Sequence, residues 1–525
     1  MLNSQWLVVV LIAALVHSLF RRFEPWNPLI HVLLLVLVPS AALLALHISP
    51  IIGLPAFWVS IVTSVTLYRL SQWHPLARFP GPFLEKISML RMAVISAGGR
   101  RHIYVRRLHE HYGPFVRIGP NAVSVADKDA VKVVFGPASS WQRSINYDSG
   151  KNKSVGSHVL NERDMTRHAV RRRVWARAFS PAALREYEVD VVRRAEMLAD
   201  AIDALVPRSE PAVVDVSPWI SRFSFDVMGD LAFGGGFDTL LDEDAHGFIR
   251  TLTKGVRFGT ISGNLPWLTP YLALLPAPDD FQKMFQFAKT RLEWRRSQPK
   301  GLRRDIFHYL SGEDGHEGPP EPELLADTAL LLVAGADTTA SALTALFHHV
   351  LNNVGIYDRL QAEIDAIPSS QYNSTALPFL DAVLYETLRI SPPVPSGGRR
   401  SPADGSGGAD LCGWFVPEGT AVIVNPFSMQ RKSEYFPNPD VFDPDRWMGA
   451  KSAKNAEACI PFLAGNTSCV GRQLAIQELR IATCTLLRRF NMSLPPESND
   501  WQSTVEDFTM ARGGPLKVII SRKRL

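Results

Sequence analysis

The first seventy residues restrict this chain more than any other feature. Leu2 to Phe20 is almost uncharged and ends at Arg21-Arg22, and two further apolar runs follow, Leu29 to Ile48 and Ile51 to Leu70. Each is about 19–20 residues long, the length with which a helix crosses a bilayer. Lipid leaves a spanning segment few choices, because every backbone polar group must be satisfied internally. A secretory leader opens with a basic stretch, whereas this chain opens Met-Leu-Asn-Ser-Gln-Trp. Pro39 and Pro55 would break soluble helices but are tolerated in lipid. Arg21-Arg22 sits between the first two runs, and His47 to Gly53 contains no Lys or Arg. The positive-inside rule therefore places Arg21-Arg22, and all that follows the third run, on the cytosolic side. Residues 1–74 are expected to form a membrane anchor with spans at about 2–20, 29–48 and 51–70. The alternative is one span followed by a hairpin or interfacial helices packed on the rest.

Beyond Tyr68-Arg69 the character changes. His74-Pro75 and Phe79-Pro80-Gly81-Pro82 form a stiff break, since proline fixes its own φ and constrains its predecessor. Residues 75–525 are expected to be one catalytic domain, mainly α with small β-sheets. Helical patterns dominate there and no internal repeat stands out. Phe115 to Val125 reads as a short hairpin, and Asn161 to Phe179 as a helix stopped by Ser180-Pro181. Pro402 to Asp410 reads as a Gly-rich loop between short strands near Arg400 and Val422. The net charge of +5, from 56 basic and 51 acidic residues, does not demand a nucleic-acid surface. Four cysteines without a CxxC pair make no disulfide scaffold. No strand–GxGxxG–helix pattern offers a dinucleotide site, and Gly234-Gly235-Gly236 reads as a loop.

The chemistry concentrates at Pro461 to Gly471, where Gly465 and Gly471 flank Cys469 ahead of a helical pattern running from Arg472 to Phe490. A cysteine at a helix N-terminus meets the positive end of the dipole and free N–H groups, which favour thiolate over thiol. Such a thiolate is an iron ligand able to push electron density towards bound oxygen. Taken alone, the pattern is equally that of a buried cysteine in a tight turn.

Phe462-x-x-Gly465-x-x-x-Cys469-x-Gly471 resembles the haem-binding loop of cytochromes P450, and three more motifs stand in that family's order. Ala334-Gly335-Ala336-Asp337-Thr338-Thr339 resembles its oxygen-activating helix. Glu386-Thr387-Leu388-Arg389 matches its ExxR, and Phe442-Asp443-Pro444-Asp445-Arg446-Trp447 its arginine-bearing meander. The resemblance runs from about Pro75 to the C-terminus. It implies the cytochrome P450 fold, preceded here by transmembrane helices, and haem b (iron protoporphyrin IX) with Cys469 as axial ligand and only metal contact. Phe462, Gly465 and Gly471 would shape the loop against the haem.

The residues agree with these roles. Pro319-Pro320-Glu321-Pro322 suits a first helical turn, and no proline follows from Glu323 to Leu351. That helix is apolar all round near Leu330 to Ala336, hence buried, until Asp337 and Thr338 interrupt it. An acid–hydroxyl pair beside iron can relay protons to reduced oxygen, so Asp337 and Thr338 are the catalytic candidates. Glu386 and Arg389, at i and i+3, share one helix face and suit a bidentate pair. In the family Arg446 joins them, and the role is structural. Of the arginines at positions 163, 167, 171, 172, 173 and 177, Arg172 falls on the family's propionate position. His168 stands where the family has tryptophan. Arg400 is a second propionate candidate, with Arg399 as its rival. Thr467 replaces the Arg or His usual two positions before the cysteine, so haem retention must lean on Arg172, Arg400 and His168.

The implied reaction inserts one oxygen atom from O2 into a lipophilic small molecule. Electrons would come from NADPH through a separate NADPH–cytochrome P450 reductase, on the cytosolic face of the endoplasmic reticulum membrane. The overall pattern is similar to fungal enzymes of secondary (natural-product) metabolism. The rivals are a haem-thiolate rearrangement that needs no reductase, and a membrane-bound haem sensor. An intact Asp337-Thr338 pair speaks against the first, and turnover with reductase separates the second.

Overall fold

The computed structural model describes residues 4–523 except 26, 151–155, 236, 245–246, 273, 277–278, 300–302, 369–371, 373–374 and 450–455. Leu2 and Gly236 thus lie outside the described residues.

Three apolar helices lead the chain: α1 (Ser4–Phe23), α2 (Pro28–Ala45) and α3 (Pro50–Leu70). Asn27 caps α2 by accepting from Leu29 N, and Pro28 occupies its first turn, where a missing N–H costs nothing. The helix widens to a π-turn at Leu33–Leu37, just ahead of Pro39, whose ring and absent N–H break the regular ladder. Val9 and Val16 of α1, Leu43 of α2 and Phe57 of α3 form a small core of their own. Gly53 permits that approach, since a Cβ there would lie 2.4 Å from Leu43 Cδ2. Only 11–17% of each helix is buried, so their apolar faces look outward, as a bilayer requires.

The rest is mainly helical with small sheets. A five-stranded sheet contains β1 (Phe115–Gly119), β2 (Ala122–Val125), β3 (Gln142–Arg143), β4 (Arg399–Ser401) and β5 (Ala421–Val424), in the order β1-β2-β5-β4-β3. The expected hairpin is β1–β2, with Phe115 opposite Val125. The loop expected between β4 and β5 carries a further two-stranded hairpin, Gly408–Leu411 with Trp414–Pro417. A separate pair, β6 (Glu506–Phe508) and β7 (Met510–Arg512), lies near the C-terminus.

The helices that build the site are α4 (Met165–Ala178), α5 (Ser217–Phe233), α6 (Phe248–Ser262), α7 (Glu321–Leu351), α8 (Pro378–Ile390) and α9 (Arg472–Arg489). Helix α4 starts at its Asp164 cap, four residues later than the arginine pattern suggests, because that carboxylate accepts from Thr166 N and Arg167 N. Ser180-Pro181 ends it and starts the next helix, with Ser180 as cap. Helix α7 is nearly as apolar as α1 and α3 but 61% buried, which makes it the axis of the main core. Its Leu343, Leu346, Phe347 and Val350 are fully buried; each such side chain contributes about 1.5–3 kcal/mol. A π-turn at Leu332–Ala336 interrupts α7 where α5 crosses it, and a Cβ on Gly335 would meet Met228 Sδ at 2.4 Å.

Candidate active site

The cysteine loop is set by backbone geometry. Gly465 has φ +61°, and a Cβ there would stand 1.7 Å from the Phe135 carbonyl oxygen, so no other residue fits. Cys469 N donates to Phe462 O at 2.8 Å, which turns the chain towards α9. The Gly471 N–H donates to the Cys469 sulfur. Arg472 stacks over the Phe462 ring at 5.7 Å. Among the cysteines Cys469 alone is exposed, yet protein stands on nearly every side of it, as for a group on the wall of an interior space. Burial raises its thiol pKa, while the Gly471 N–H, Arg172 and Arg472 pull the other way. The Gly471 N–H at the helix terminus thus favours the thiolate, while burial opposes it.

A network centred on a fully buried ion pair supports this loop. Arg389 holds Glu386 bidentately at 2.8 and 2.7 Å, with both side chains fully buried. Glu386 also accepts from Arg446 Nε at 3.2 Å, Asp443 N at 3.0 Å and Trp447 Nε1 at 2.9 Å. Arg389 donates onward to the carbonyls of Gln430 and Pro439, and Gln430 Oε1 accepts from Ile460 N at 2.9 Å, next to the cysteine loop. Trp447 and Gln430 are partners that sequence reasoning missed, although Trp447 closes the quoted meander motif.

The arginines of α4 divide by direction. Arg171 is paired with Asp327 at 2.7 Å, Arg177 with Asp314 at 2.7 Å, Arg167 with Glu323 at 2.7 Å and Arg163, just before the helix, with Asp148 at 2.8 Å. Arg173 is exposed. Arg172 is half-buried, has no ion pair among the described residues, and feels the charges of Cys469 and Arg143. Four of the six are thus paired with carboxylates, and of the six only Arg167 and Arg173 are exposed.

Arg400 Nη2 donates to Thr467 Oγ1 at 2.9 Å, and its guanidinium lies 5.1 Å from the Phe135 ring centre. Arg143, which the sequence reading missed, pairs with Arg400 across β3 and β4. Both are 3% exposed and neither has an ion pair among the described residues. Arg143 donates to Glu162 O and to His168 Nε2, and its buried Nε–H has no partner among the described residues. Burial and the charge of Arg400 push Arg143 down to about 10. His168, lowered to about 3 by burial and by Arg143, is neutral and acts as the acceptor for that guanidinium. Two buried guanidiniums side by side, with a donor to spare, make a site for a pair of carboxylates.

On α7, Asp337 and Thr338 are adjacent but differently engaged. Asp337 Oδ1 accepts from Arg512 Nη2 of β7 at 2.6 Å, and Arg512 also bonds Thr253 of α6. Burial raises the Asp337 carboxyl pKa, and Arg512 opposes it. Thr338 Oγ1 donates to Ala334 O at 2.7 Å, leaving its lone pairs to accept from water or substrate. Arg512 was not foreseen, since nothing in its local sequence signals the contact.

A cavity of about 870 Å³ runs from the N-terminal apolar helices to the inner end of β4. His31 of α2 hydrogen-bonds Tyr271 at its outer end, and Tyr147, Ser396, Arg399 and Thr509 line its inner end.

Comparison with known proteins agrees with this architecture. The family model described as "Cytochrome P450" matches residues 80–517. The chain is 34% identical to "Cytochrome P450 67" of Uromyces fabae, over 93% of each protein. It is 30% identical to "Tryprostatin B 6-hydroxylase" of Aspergillus fumigatus, over 89% of this chain and 84% of that one. A solved structure described as the "Crystal structure of cytochrome P450DA heme domain" has the same fold, with a TM-score of 0.68 at 17% identity, covering 82% of this chain and 95% of that one. With the family model matched across residues 80–517, the chain belongs to the cytochrome P450 family.

Proposed function

We propose that this monooxygenase binds haem b through Cys469 and oxidises a lipophilic small molecule, taking electrons from NADPH through a separate P450 reductase. The observation that carries this reading is the unneutralised pair Arg143 and Arg400 beside the cysteine loop, with Arg172 in electrostatic reach of both the pair and the sulfur. Arg143, Arg400 and Arg172 would take the two propionates, with His168 orienting Arg143. Phe462, Gly465 and Gly471 keep the loop at the required distance. Bound there, the haem supplies binding and activation of O2. One oxygen atom enters the substrate, and the other leaves as water with two protons and the electron pair of NADPH.

This chain's own part is to deliver those protons and to hold the substrate. Thr338, as acceptor from water, and Asp337, released from Arg512, would form the relay. Glu386, Arg389 and Arg446 hold the loop without touching reactants. The anchor (1–74) would hold the catalytic part (75–525) on the cytosolic face of the endoplasmic reticulum. A relative named as a tryprostatin B hydroxylase supports a place in fungal natural-product metabolism. Co-expression with a reductase, followed by product analysis against lipophilic candidates, tests the reaction. Turnover without reductase or O2 consumption would overturn it. A glycosylation tag at His47 to Gly53 should be modified in microsomes and one at Phe23 should not.

A further inference from the structure

The structure assigns to Arg399 the recognition of a carboxylate on the substrate, so that the molecule oxidised is a lipophilic organic acid. This rests on the lipophilic-substrate reading above and names its chemical class. Arg399 was a rival for a haem propionate, but its neighbour Arg400 reaches the cysteine loop, whereas Arg399 lines the 870 Å³ cavity. Successive residues of a strand point to opposite faces, which is why the two part company at β4. The Arg399 guanidinium donates to Gly263 O and to Asn264 Oδ1, both at 2.8 Å, and both acceptors are neutral. No carboxylate among the described residues pairs with it. Burial and the charge of Arg101 push it down to about 10, so it remains a cation at neutral pH.

The nearest acid is already committed. Asp507 receives Arg101 at 3.3 and 3.1 Å, Ser396 Oγ at 2.7 Å and Thr509 N at 3.1 Å. Of the acids lining the cavity, Glu418 accepts from the Gly405 and Gly407 N–H groups, and Glu24 lies at the anchor end. The inner end therefore keeps a positive charge, oriented by the two hydrogen bonds from its Nη1 and Nη2 groups. A partly desolvated guanidinium without a counter-ion is costly unless a ligand supplies one. Met89, Met92, Ile118 and Trp267 line the same cavity and suit an apolar chain. An acid with a hydrocarbon body meets both conditions, and a planar carboxylate matches the guanidinium fork.

The test uses the full-length, haem-loaded protein in lipid nanodiscs, with radiolabelled dodecanoic acid and methyl dodecanoate in equilibrium dialysis. This readout requires neither turnover nor a haem spectrum. The acid should bind about tenfold or more tighter than the ester. Arg399→Gln should abolish that ratio by weakening the acid alone, and Arg399→Lys should retain part of it. Haem content should be unchanged in both variants. Equal binding of acid and ester by the wild type would overturn the inference while leaving the lipophilic-substrate reading intact. So would a preference that survives Arg399→Gln, or loss of haem in both variants, which would return Arg399 to the propionates. Failure of both ligands to bind would count against the lipophilic-substrate reading itself, and this inference would fall with it.

Discussion

The Arg400 guanidinium donates to Thr467 Oγ1 at 2.9 Å, so the charge that this family usually carries on the cysteine loop arrives here from β4. The threonine hydroxyl brings no charge of its own, so the cation that touches the loop at this point is Arg400. The smaller residue in the loop is thus matched by a buried arginine from a distant part of the chain.

Haem retention should therefore depend on β3 and β4 more than on α4. Arg400→Ala and Arg143→Ala should each lower the haem-to-protein ratio more than Arg172→Ala does. Each removes charge-assisted hydrogen bonds worth about 1.5–3 kcal/mol, which is about tenfold or more in the rate of haem loss to an acceptor protein. Thr467→Arg should restore retention to Arg400→Ala, yet weaken the otherwise unaltered protein by placing two guanidiniums together. Equal retention in all three alanine variants would show that propionates are held elsewhere.

Gly465→Ala should abolish the shifted Soret band of the ferrous CO complex. The added Cβ would lie 1.7 Å from the Phe135 carbonyl, at a backbone with φ +61°, so the loop must move. Gly471→Ala should be milder, because its Cβ would meet Phe179 Cε1 at 3.6 Å, an ordinary contact. The CO difference spectrum of both purified variants checks the order.

Thr338→Ala should retain haem and substrate binding while NADPH consumption is diverted to peroxide. Asp337→Asn should slow product formation by about a hundredfold, the lower end of what a positioned acid–base group contributes. Product and peroxide per NADPH are the measurements. Unchanged coupling in both variants would place the relay elsewhere.

Glu478 of α9 is buried, hydrogen-bonds Thr339 of α7, and is raised by burial to about 8. Its Oε2 has no partner among the described residues, so nothing there stabilises a negative charge. Between the usual carboxylate pKa and about 8 the folded state binds more protons than the unfolded one, so this group makes stability fall as pH rises through that window. Glu478→Gln should therefore gain stability relative to the unaltered protein, with the gap widening from about pH 5 to about pH 8 and constant above. Chemical denaturation at three pH values measures it. A gap independent of pH would mean that Glu478 does not titrate in this range.

Features that lie in short, ordered strings can be read directly from the order of residues. The apolar runs, the Cys469 loop, the acid–hydroxyl step in α7 and the Glu386–Arg389 pair are all local, since a helix brings i and i+3 together and glycines decide a turn where they stand. The buried character of α7 was also legible, because a helix apolar on every face can only lie in a core or in lipid. Which charges are left without partners depends instead on contacts between distant segments. The α4 arginines look alike in sequence, but Asp327, Glu323 and Asp314 from α7 and the segment before it neutralise three of them, while Arg172 turns to the cysteine. Arg143 meets Arg400 only through the pairing of β3 with β4, and Arg512 finds Asp337 only because β7 packs over α7. A charge acquires its role from the counter-charges that folding places around it, and those come from segments far apart along the chain.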